Sequence, residues 1–243
     1  MLDMTRLLAA LAGAVLAAGA AQAAPVTTLL ANYDTTFSTL CNGVACEQAV
    51  AEARNGDNGR TAAQAEWNIG PNTSAPTATV NISGLTGGGL WNGTALPFRL
   101  AYDGSDLRFG IDRGSGFQDV TYTVSLAATQ TLFIRAVARS GGADTTIAGL
   151  ALSGNALPTL AGDSGGDYLR VSNFTWSSAW NLTGTIAMTG GPGAGAVPSV
   201  QFKLTNLAVP PPVPEPAGIA LLGLGLAALG VARRGSAASA RAG

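Results

Sequence analysis

Apolar and polar residues alternate along most of the chain between residues 65 and 207. The segment VTYTVSL at 120–126 shows the pattern most clearly, and alternation of this kind predicts β-strands with one buried face. Turns rich in Gly, Asn and Pro separate such segments. The predicted strands are residues 65–69, 77–82, 98–102, 107–111, 120–126, 131–138, 145–152, 168–171, 182–188 and 200–207. Short strands without alternating helices favour a mainly β fold, a single antiparallel β-sandwich or jelly-roll-like domain.

One stretch reads as helical. Residues 45–54 (ACEQAVAEAR) are good helix formers, with Asn42 as a candidate cap and Asn55-Gly56 as the end. They predict one short helix near the N-terminus of the domain.

Two cysteines, Cys41 and Cys46, flank the start of that helix. In an exported protein such a pair is most simply a small disulfide, with free thiols and a metal site as the alternatives. A metal site would need further ligands, and the sequence contains no histidine.

The first 23 residues predict a signal-peptide helix. Arg6 precedes an apolar segment at 7–18, and Ala21 and Ala23 fit the small-x-small rule for cleavage before Ala24. This arrangement implies the Sec translocon and signal peptidase as partners, and an uncleaved anchor is the alternative. The domain itself would then span residues 24–208.

The C-terminal segment has three parts. A proline-rich stalk at 209–216 precedes an uncharged apolar run at 217–232, and Arg233 and Arg234 follow it as a basic stop. As a helix the run would span about 24 Å at roughly 1.5 Å per residue, less than a hydrocarbon core of about 30 Å. We expect residues 217–234 to form a short transmembrane helix with its basic stop, and residues 235–243 to be a cytoplasmic tail.

These parts, in this order, resemble the PEP-CTERM sorting signal of exported Gram-negative proteins. The matching residues are Val213, Pro214, Glu215 and Pro216, the apolar helix, and the pair Arg233 and Arg234. The resemblance implies processing by an exosortase, a membrane enzyme that removes the helix. It also implies an intermediate held in the inner membrane and facing the periplasm, then a place at the cell surface or outside. The basic cluster has only two arginines and is followed by further residues, and a plain membrane anchor is the alternative.

The domain also resembles, more loosely, the choice-of-anchor domains that precede such signals, the W type among them. The residues that carry this likeness are 66–68 (EWN), 98–104 (FRLAYDG), 147–154 (IAGLALSG) and 167–169 (DYL). The likeness implies an extracellular β-rich domain without a defined biochemical role.

Catalytic patterns are weak in this sequence. Residues 162–166 (GDSGG) resemble the nucleophile motif of chymotrypsin-like proteases, but that chemistry needs a histidine, and a glycine turn is the simpler reading. Lys203, the one lysine, offers only a conceivable Ser–Lys pair. Asp103, Asp106 and Asp112 could form a paired-carboxylate hydrolase site, although such acids are more often turn formers.

Binding patterns are equally limited. The Asp-rich turns and the loops at 55–59 and 163–167 supply oxygen ligands for calcium, yet none completes a calcium loop. Packing in the core is the default expectation for Trp176 and Trp180, and a sugar-binding patch on this pair is the alternative.

Charge narrows the choice of partners. The net charge is −1, and no basic cluster exists of the kind that binds nucleic acid.

From the resemblance to a sorting signal and the weakness of the catalytic patterns, we expect a non-enzymatic surface or extracellular-matrix protein without a cofactor or metal, associated with exopolysaccharide or biofilm. A carbohydrate-binding module and, less favoured, a carboxylate-dependent hydrolase are the alternatives.

Overall fold

The computed structural model describes residues 24–56, 65–82, 90–128, 130–138, 144–162, 165–190 and 198–207. The chain divides into two units, Met1–Ala208 and Val209–Gly243, and the second lies wholly outside the described residues. The predicted signal peptide, proline stalk, transmembrane helix and tail also lie outside them. Among the residues that are described, no helix is long and apolar enough to span a membrane.

The described part of the first unit is built from two antiparallel sheets. Sheet I contains, in spatial order, β1 (Val26–Leu30), β12 (Asp167–Ser172), β8 (Thr131–Val137), β14 (Ser199–Thr205), β2 (Glu47–Arg54), β3 (Ala65–Gly70) and β4 (Ala78–Ile82). Sheet II contains β10 (Asn155–Ala156), β9 (Asp144–Leu152), β13 (Trp180–Thr189), β5 (Leu96–Tyr102), β6 (Asp106–Asp112) and β7 (Phe117–Thr123), with β11 (Leu160–Gly162) also paired to β9. The prediction of a mainly β, antiparallel, sandwich-like fold is confirmed, and every predicted strand overlaps one of these.

The core lies between the sheets. Alternate residues of each strand point inward, as the period of a strand requires. Phe202 of β14 contacts Phe98 of β5 and Phe109 of β6 across the gap, with ring centroids 4.9 and 5.5 Å apart. Trp67 and Trp91 are fully buried in the same cluster. These aromatic contacts join the two sheets into one hydrophobic core.

The predicted helix at 45–54 is wrong. Residues 47–54 of that segment form β2, which pairs with β14 on one side and β3 on the other. Ala49, Ala51 and Ala53 face the core at every second position, so the alternation of alanine with larger residues decides the structure over helix propensity. Pairing along both edges satisfies the backbone that a helix would have satisfied internally.

The helix of the described chain lies earlier, at Asp34–Leu40, and is called α1. It follows β1 and packs on the outer face of sheet I. Phe37 lies 5.2 Å from Phe133 and 5.3 Å from Tyr168, measured between ring centroids. Asn42, the predicted N-cap, instead follows the end of α1 with a positive φ of 48°, a conformation that asparagine tolerates better than most residues.

The structure joins Cys41 to Cys46 by a disulfide. Both cysteines are buried beside Phe37, Phe133 and Tyr168, which form a second, smaller hydrophobic cluster outside the main core. The disulfide therefore closes the connection between α1 and β2 at the point where α1 is held on the sheet.

Candidate functional site

A row of polar side chains crosses the outer face of sheet I. Strand register places Tyr168, Arg135, Gln201, Glu52 and Asn68 side by side on five neighbouring strands. We call these five residues the polar row. The Arg135 Nη1 donates to the Gln201 Oε1 at 3.3 Å, and the Gln201 Nε2 donates to the Glu52 Oε1 at 2.9 Å. All five side chains are buried, which is unusual for the outer face of a sandwich.

The helix α1 supplies an acid to one end of this row. Both Asp34 carboxylate oxygens accept from Arg135, at 2.5 Å from Nε and 2.5 Å from Nη2. The Tyr168 hydroxyl donates to the Asp34 Oδ1 at 3.0 Å. Burial by itself would lower the pKa of Arg135, but the hydrogen-bonded Asp34 carboxylate leaves that pKa raised overall. Arg135 therefore holds α1 against the sheet through a bidentate ion pair.

The other end of the row continues the alternation of charge. Arg54 is ion-paired with Glu52, and its Nε lies 3.8 Å from the Glu66 Oε1. The Asn68 Nδ2 donates to that same Glu66 oxygen at 2.7 Å. Opposite charges thus follow one another from α1 to β3, and each buried charge has a partner, as burial demands.

Lys203 lies two residues after Gln201 in β14, on the same face of sheet I as the polar row. Its Nζ donates to the Glu47 Oε1 at 2.6 Å and to the Thr73 Oγ1 at 2.8 Å. The ammonium also lies 5.1 Å from the centroid of the Phe37 ring. Burial lowers the pKa of Lys203, while Glu47 acts in the opposite direction. Lys203 is thus a buried cation held by one carboxylate, one hydroxyl and one aromatic ring.

These groups line a pocket of about 310 Å³ between α1 and sheet I. We call it the α1 pocket. Its walls come from α1, from the loop closed by the disulfide and from the β3–β4 turn, and its floor comes from β2, β8, β12 and β14. The lining residues are Asp34, Phe37, Ser38, Gly43, Val44, Glu47, Thr73, Ser74, Arg135, Tyr168, Gln201 and Lys203. No sequence motif marks this pocket, because its lining residues come from separate segments of the chain that only the fold brings together.

The expected packing of Trp176 and Trp180 in the core is confirmed, and the alternative of a sugar-binding patch on this pair is wrong. Trp176 is 0% exposed and Trp180 is 4% exposed. Their rings meet edge to face with centroids 5.3 Å apart, inside the main core. Neither ring face is available for stacking on a sugar.

The alternative of a paired-carboxylate site does not assemble either. Asp103 and Asp106 flank the β5–β6 turn, whereas Asp112 starts the next turn at the opposite end of β6, about 20 Å away at roughly 3.4 Å per residue. Asp103 accepts backbone hydrogen bonds from Ser105 and Asp106, which lower its pKa, and it also pairs with Arg108. These acids shape turns.

The GDSGG segment and the Asn-rich loop at 55–59 lie only partly within the described residues. Asp163 and Ser164 of the GDSGG segment lie outside the described residues, as do residues 57–59 of the Asn-rich loop. Gly162 ends β11, and Gly165 and Gly166 lead into β12, so the described part of the motif connects two strands. Within the described residues, no group of three or more His, Cys, Asp or Glu side chains is placed to hold a metal ion.

Comparison with known proteins bears on the C-terminal segment. No curated protein shows significant similarity to the chain. The family model for the PEP-CTERM protein-sorting motif matches residues 212–234, which contain the Pro-Glu-Pro triplet, the apolar run and the arginine pair. A motif of this kind implies export and processing by an exosortase-type enzyme. The chain carries a PEP-CTERM protein-sorting motif, as the sequence resemblance predicted.

Proposed function

We propose that this chain is a non-enzymatic surface or extracellular-matrix protein that is associated with exopolysaccharide and delivered through its C-terminal sorting signal. The observation that carries the proposal is the sorting motif at residues 212–234. In this proposal the C-terminal segment directs the sorting of the β-rich body.

The proposed mechanism is physical. The N-terminal segment starts export, and the apolar run at 217–232 then stops transfer because it partitions into lipid. Arg233 and Arg234 resist crossing the membrane, which keeps the C-terminus inside. The three prolines at 210–212 form a stiff, extended spacer that holds Pro214, Glu215 and Pro216 near the outer face, within reach of the processing enzyme.

Features of the body support an extracytoplasmic, non-catalytic role. The disulfide between Cys41 and Cys46 belongs to an oxidising compartment. The sequence lacks histidine, the usual acid–base group at neutral pH. The carboxylates of Asp34 and Glu47 in the α1 pocket are each bound to a cation, and those of Asp103 and Asp112 hold turns.

The test replaces Pro214, Glu215 and Pro216 together with alanine in the native host. Cells are fractionated, and the mass of the mature protein is measured. The parent chain is expected to lose its C-terminal helix and to leave the inner membrane. The triple variant is expected to keep the helix and to accumulate in that membrane.

A matched control replaces Pro210 and Pro211 with alanine, which removes the same number of prolines but leaves the triplet intact. This control is expected to be processed like the parent. Identical mass and location for the parent and the triple variant would reject sorting in favour of a permanent anchor.

A further inference from the structure

Strand β1 forms an edge of sheet I. Within the described residues it pairs with β12 on one side and with no strand on the other. Such an edge presents a row of backbone N–H and C=O groups that a further strand can pair with. The five residues of β1 include no charged residue and no proline, so this edge lacks the side chains that usually keep two edge strands apart.

The other edges in the described part of the chain are better protected. β7 carries Asp119, and β10 and β11 are only two and three residues long. β4 exposes the polar residues Thr79 and Asn81, while its apolar side chains are partly buried against the core. β1 is therefore the edge best suited to accept another strand.

Apolar side chains are exposed on this edge. Among the described residues, four large hydrophobic side chains are exposed, and two of them, Val26 and Leu29, belong to β1. Leu29 pairs with Leu169, a core residue of β12, so Leu29 points to the core side of sheet I. It is nevertheless 58% exposed, so β1 extends past the cover that sheet II provides. A strand that pairs with β1 would cover this side chain.

The sequence of β1 is complementary to itself. In an antiparallel pair about a two-fold axis at Thr28, that residue would face its own mate. Val26 would then face Leu30 of the other copy, and Thr27 would face Leu29. The two members of each pair lie an even number of positions apart, so their backbone groups point the same way, as a ladder requires. Leu29 would also reach its own mate on the diagonal, and both exposed apolar residues would be covered.

Charge permits this contact. The Arg170 Nη2 donates to the Thr28 Oγ1 at 3.2 Å, which brings one positive charge to each side of the axis. The two β12 strands that carry Arg170 would lie three strand spacings apart, about 14 Å at roughly 4.8 Å each. That separation exceeds the Debye length of about 8 Å at physiological salt, so the repulsion is weak and falls further as salt is added.

We infer that β1 pairs with β1 of a second copy of this chain, antiparallel about a two-fold axis at Thr28, and joins sheet I of the two bodies into one continuous sheet. Two five-residue strands form a contact smaller than the roughly 1,200 Å² of a stable interface, so the dimer is weak in dilute solution. It is favoured where many copies are held close together, as on one membrane. The contact itself does not depend on the proposed function.

The test uses the full chain, purified from its host in mild detergent. Sedimentation equilibrium is expected to show monomer and dimer with a Kd on the order of 10–100 μM. Leu29→Lys places two ammonium groups near each other across the axis, and it is expected to weaken the dimer by about tenfold or more. Circular dichroism checks that the variant is folded.

Leu40→Lys is the matched control, because Leu40 is 55% exposed and lies far from β1. It precedes Cys41, whose disulfide to Cys46 ties it beside β2, four strands away from β1 in sheet I. This control is expected to leave the Kd unchanged.

Cross-linking tests the register. Thr28→Cys is expected to form a disulfide between two copies on mild oxidation, because residue 28 faces its own mate. Val26→Cys is expected not to, since the two copies of residue 26 would lie about 14 Å apart along the strands at roughly 3.4 Å per residue, and a disulfide needs Cα atoms within about 7 Å.

Four results would overturn the inference. They are the absence of any dimer at the highest soluble concentration, an unchanged Kd in Leu29→Lys, equal cross-linking of Val26→Cys and Thr28→Cys, and species that grow beyond the dimer. The last result would indicate an open contact between β1 and a different edge of the next copy.

Discussion

Lys203 and Glu47 form the most deeply buried ion pair of the described body, with side-chain exposures of 7% and 0%. Charges taken out of water are stabilised only by their partners, so removal of one partner leaves the other uncompensated. The pair therefore makes the pocket floor sensitive to single substitutions.

We expect Lys203→Met to lower the free energy of unfolding by about 3–5 kcal/mol, because Glu47 would stay buried without its cation. The double variant Lys203→Met/Glu47→Leu should recover most of that loss, since no buried charge would remain. Urea denaturation of the parent, both single variants and the double variant measures the coupling. Equal stability of Lys203→Met and the double variant would contradict this prediction.

The protonated Tyr168 phenol contributes to the free energy of unfolding, and this contribution is lost at alkaline pH. Burial raises the pKa of its phenol above the ordinary value of 10, so the folded state keeps a proton that the unfolded state releases. This contribution is fully present below pH 10 and falls as the pH rises further, by up to about 1.4 kcal/mol per pH unit.

We expect Tyr168→Phe to lower the free energy of unfolding by about 1 kcal/mol at pH 8, because the hydrogen bond to Asp34 is lost. Between pH 10 and 11, the free energy of unfolding of the variant should fall less than that of the parent. The lowered pKa of the buried Lys203 changes the stability in the opposite direction as the pH rises, but Lys203 is present in both proteins. Parallel stability curves for the two proteins above pH 10 would count against this account.

At the scale of elements, Gly162 shows why the GDSGG segment contains glycine. A Cβ on Gly162 would lie 2.5–2.7 Å from the backbone of Ala136 and Val137 in β8. Since those contacts are backbone atoms, they cannot move aside cheaply. We expect Gly162→Ala to destabilise the body by about 2–3 kcal/mol, measured by thermal or urea unfolding.

Gly104 provides the matched control, because a Cβ there would meet nothing within 4 Å. Its positive φ of 108° still makes alanine somewhat strained, so a smaller loss is expected for Gly104→Ala. A loss in Gly162→Ala no larger than that of the control would show that β11 does not need this close approach.

The disulfide is the second feature at this scale. It closes a short connection between α1 and β2, and α1 carries Asp34 and Phe37 onto the sheet. Cys41→Ser/Cys46→Ser is expected to destabilise the body by about 2 kcal/mol, and reductant should have no further effect on that variant. A parent protein that loses no stability in reductant would contradict this expectation.

Strands with clear alternation were predictable from the sequence, because a single buried face leaves its period in the residue types. β2 was not, since its inward positions are alanines, which do not distinguish a strand from a helix. The polar row was also hidden. Glu52, Arg135 and Gln201 look like solvent-facing positions of alternating strands, and only the register across three strands brings them together. The sorting motif needs no tertiary structure, and so the sequence alone revealed it.

At the scale of the whole molecule, the absence of histidine removes the side chain that normally titrates between pH 5 and 8. We expect the free energy of unfolding to change by less than about 0.5 kcal/mol between pH 6 and 8. Urea denaturation at closely spaced pH values checks this. A steep change across that range would point to a carboxylate with a strongly raised pKa.

The register of sheet I has a mechanical consequence. Val26 at the start of β1 pairs with Ser172, and Thr205 at the end of β14 pairs with Thr131, so both strands reach the same end of the sheet. Tension applied between residues 26 and 205 would run across the strands. It would peel the edge strand β1 from β12 one hydrogen bond at a time, and would not shear all those bonds together. Under load the body should therefore yield first at β1, at low force, and α1 with its pocket wall is the next element along the chain.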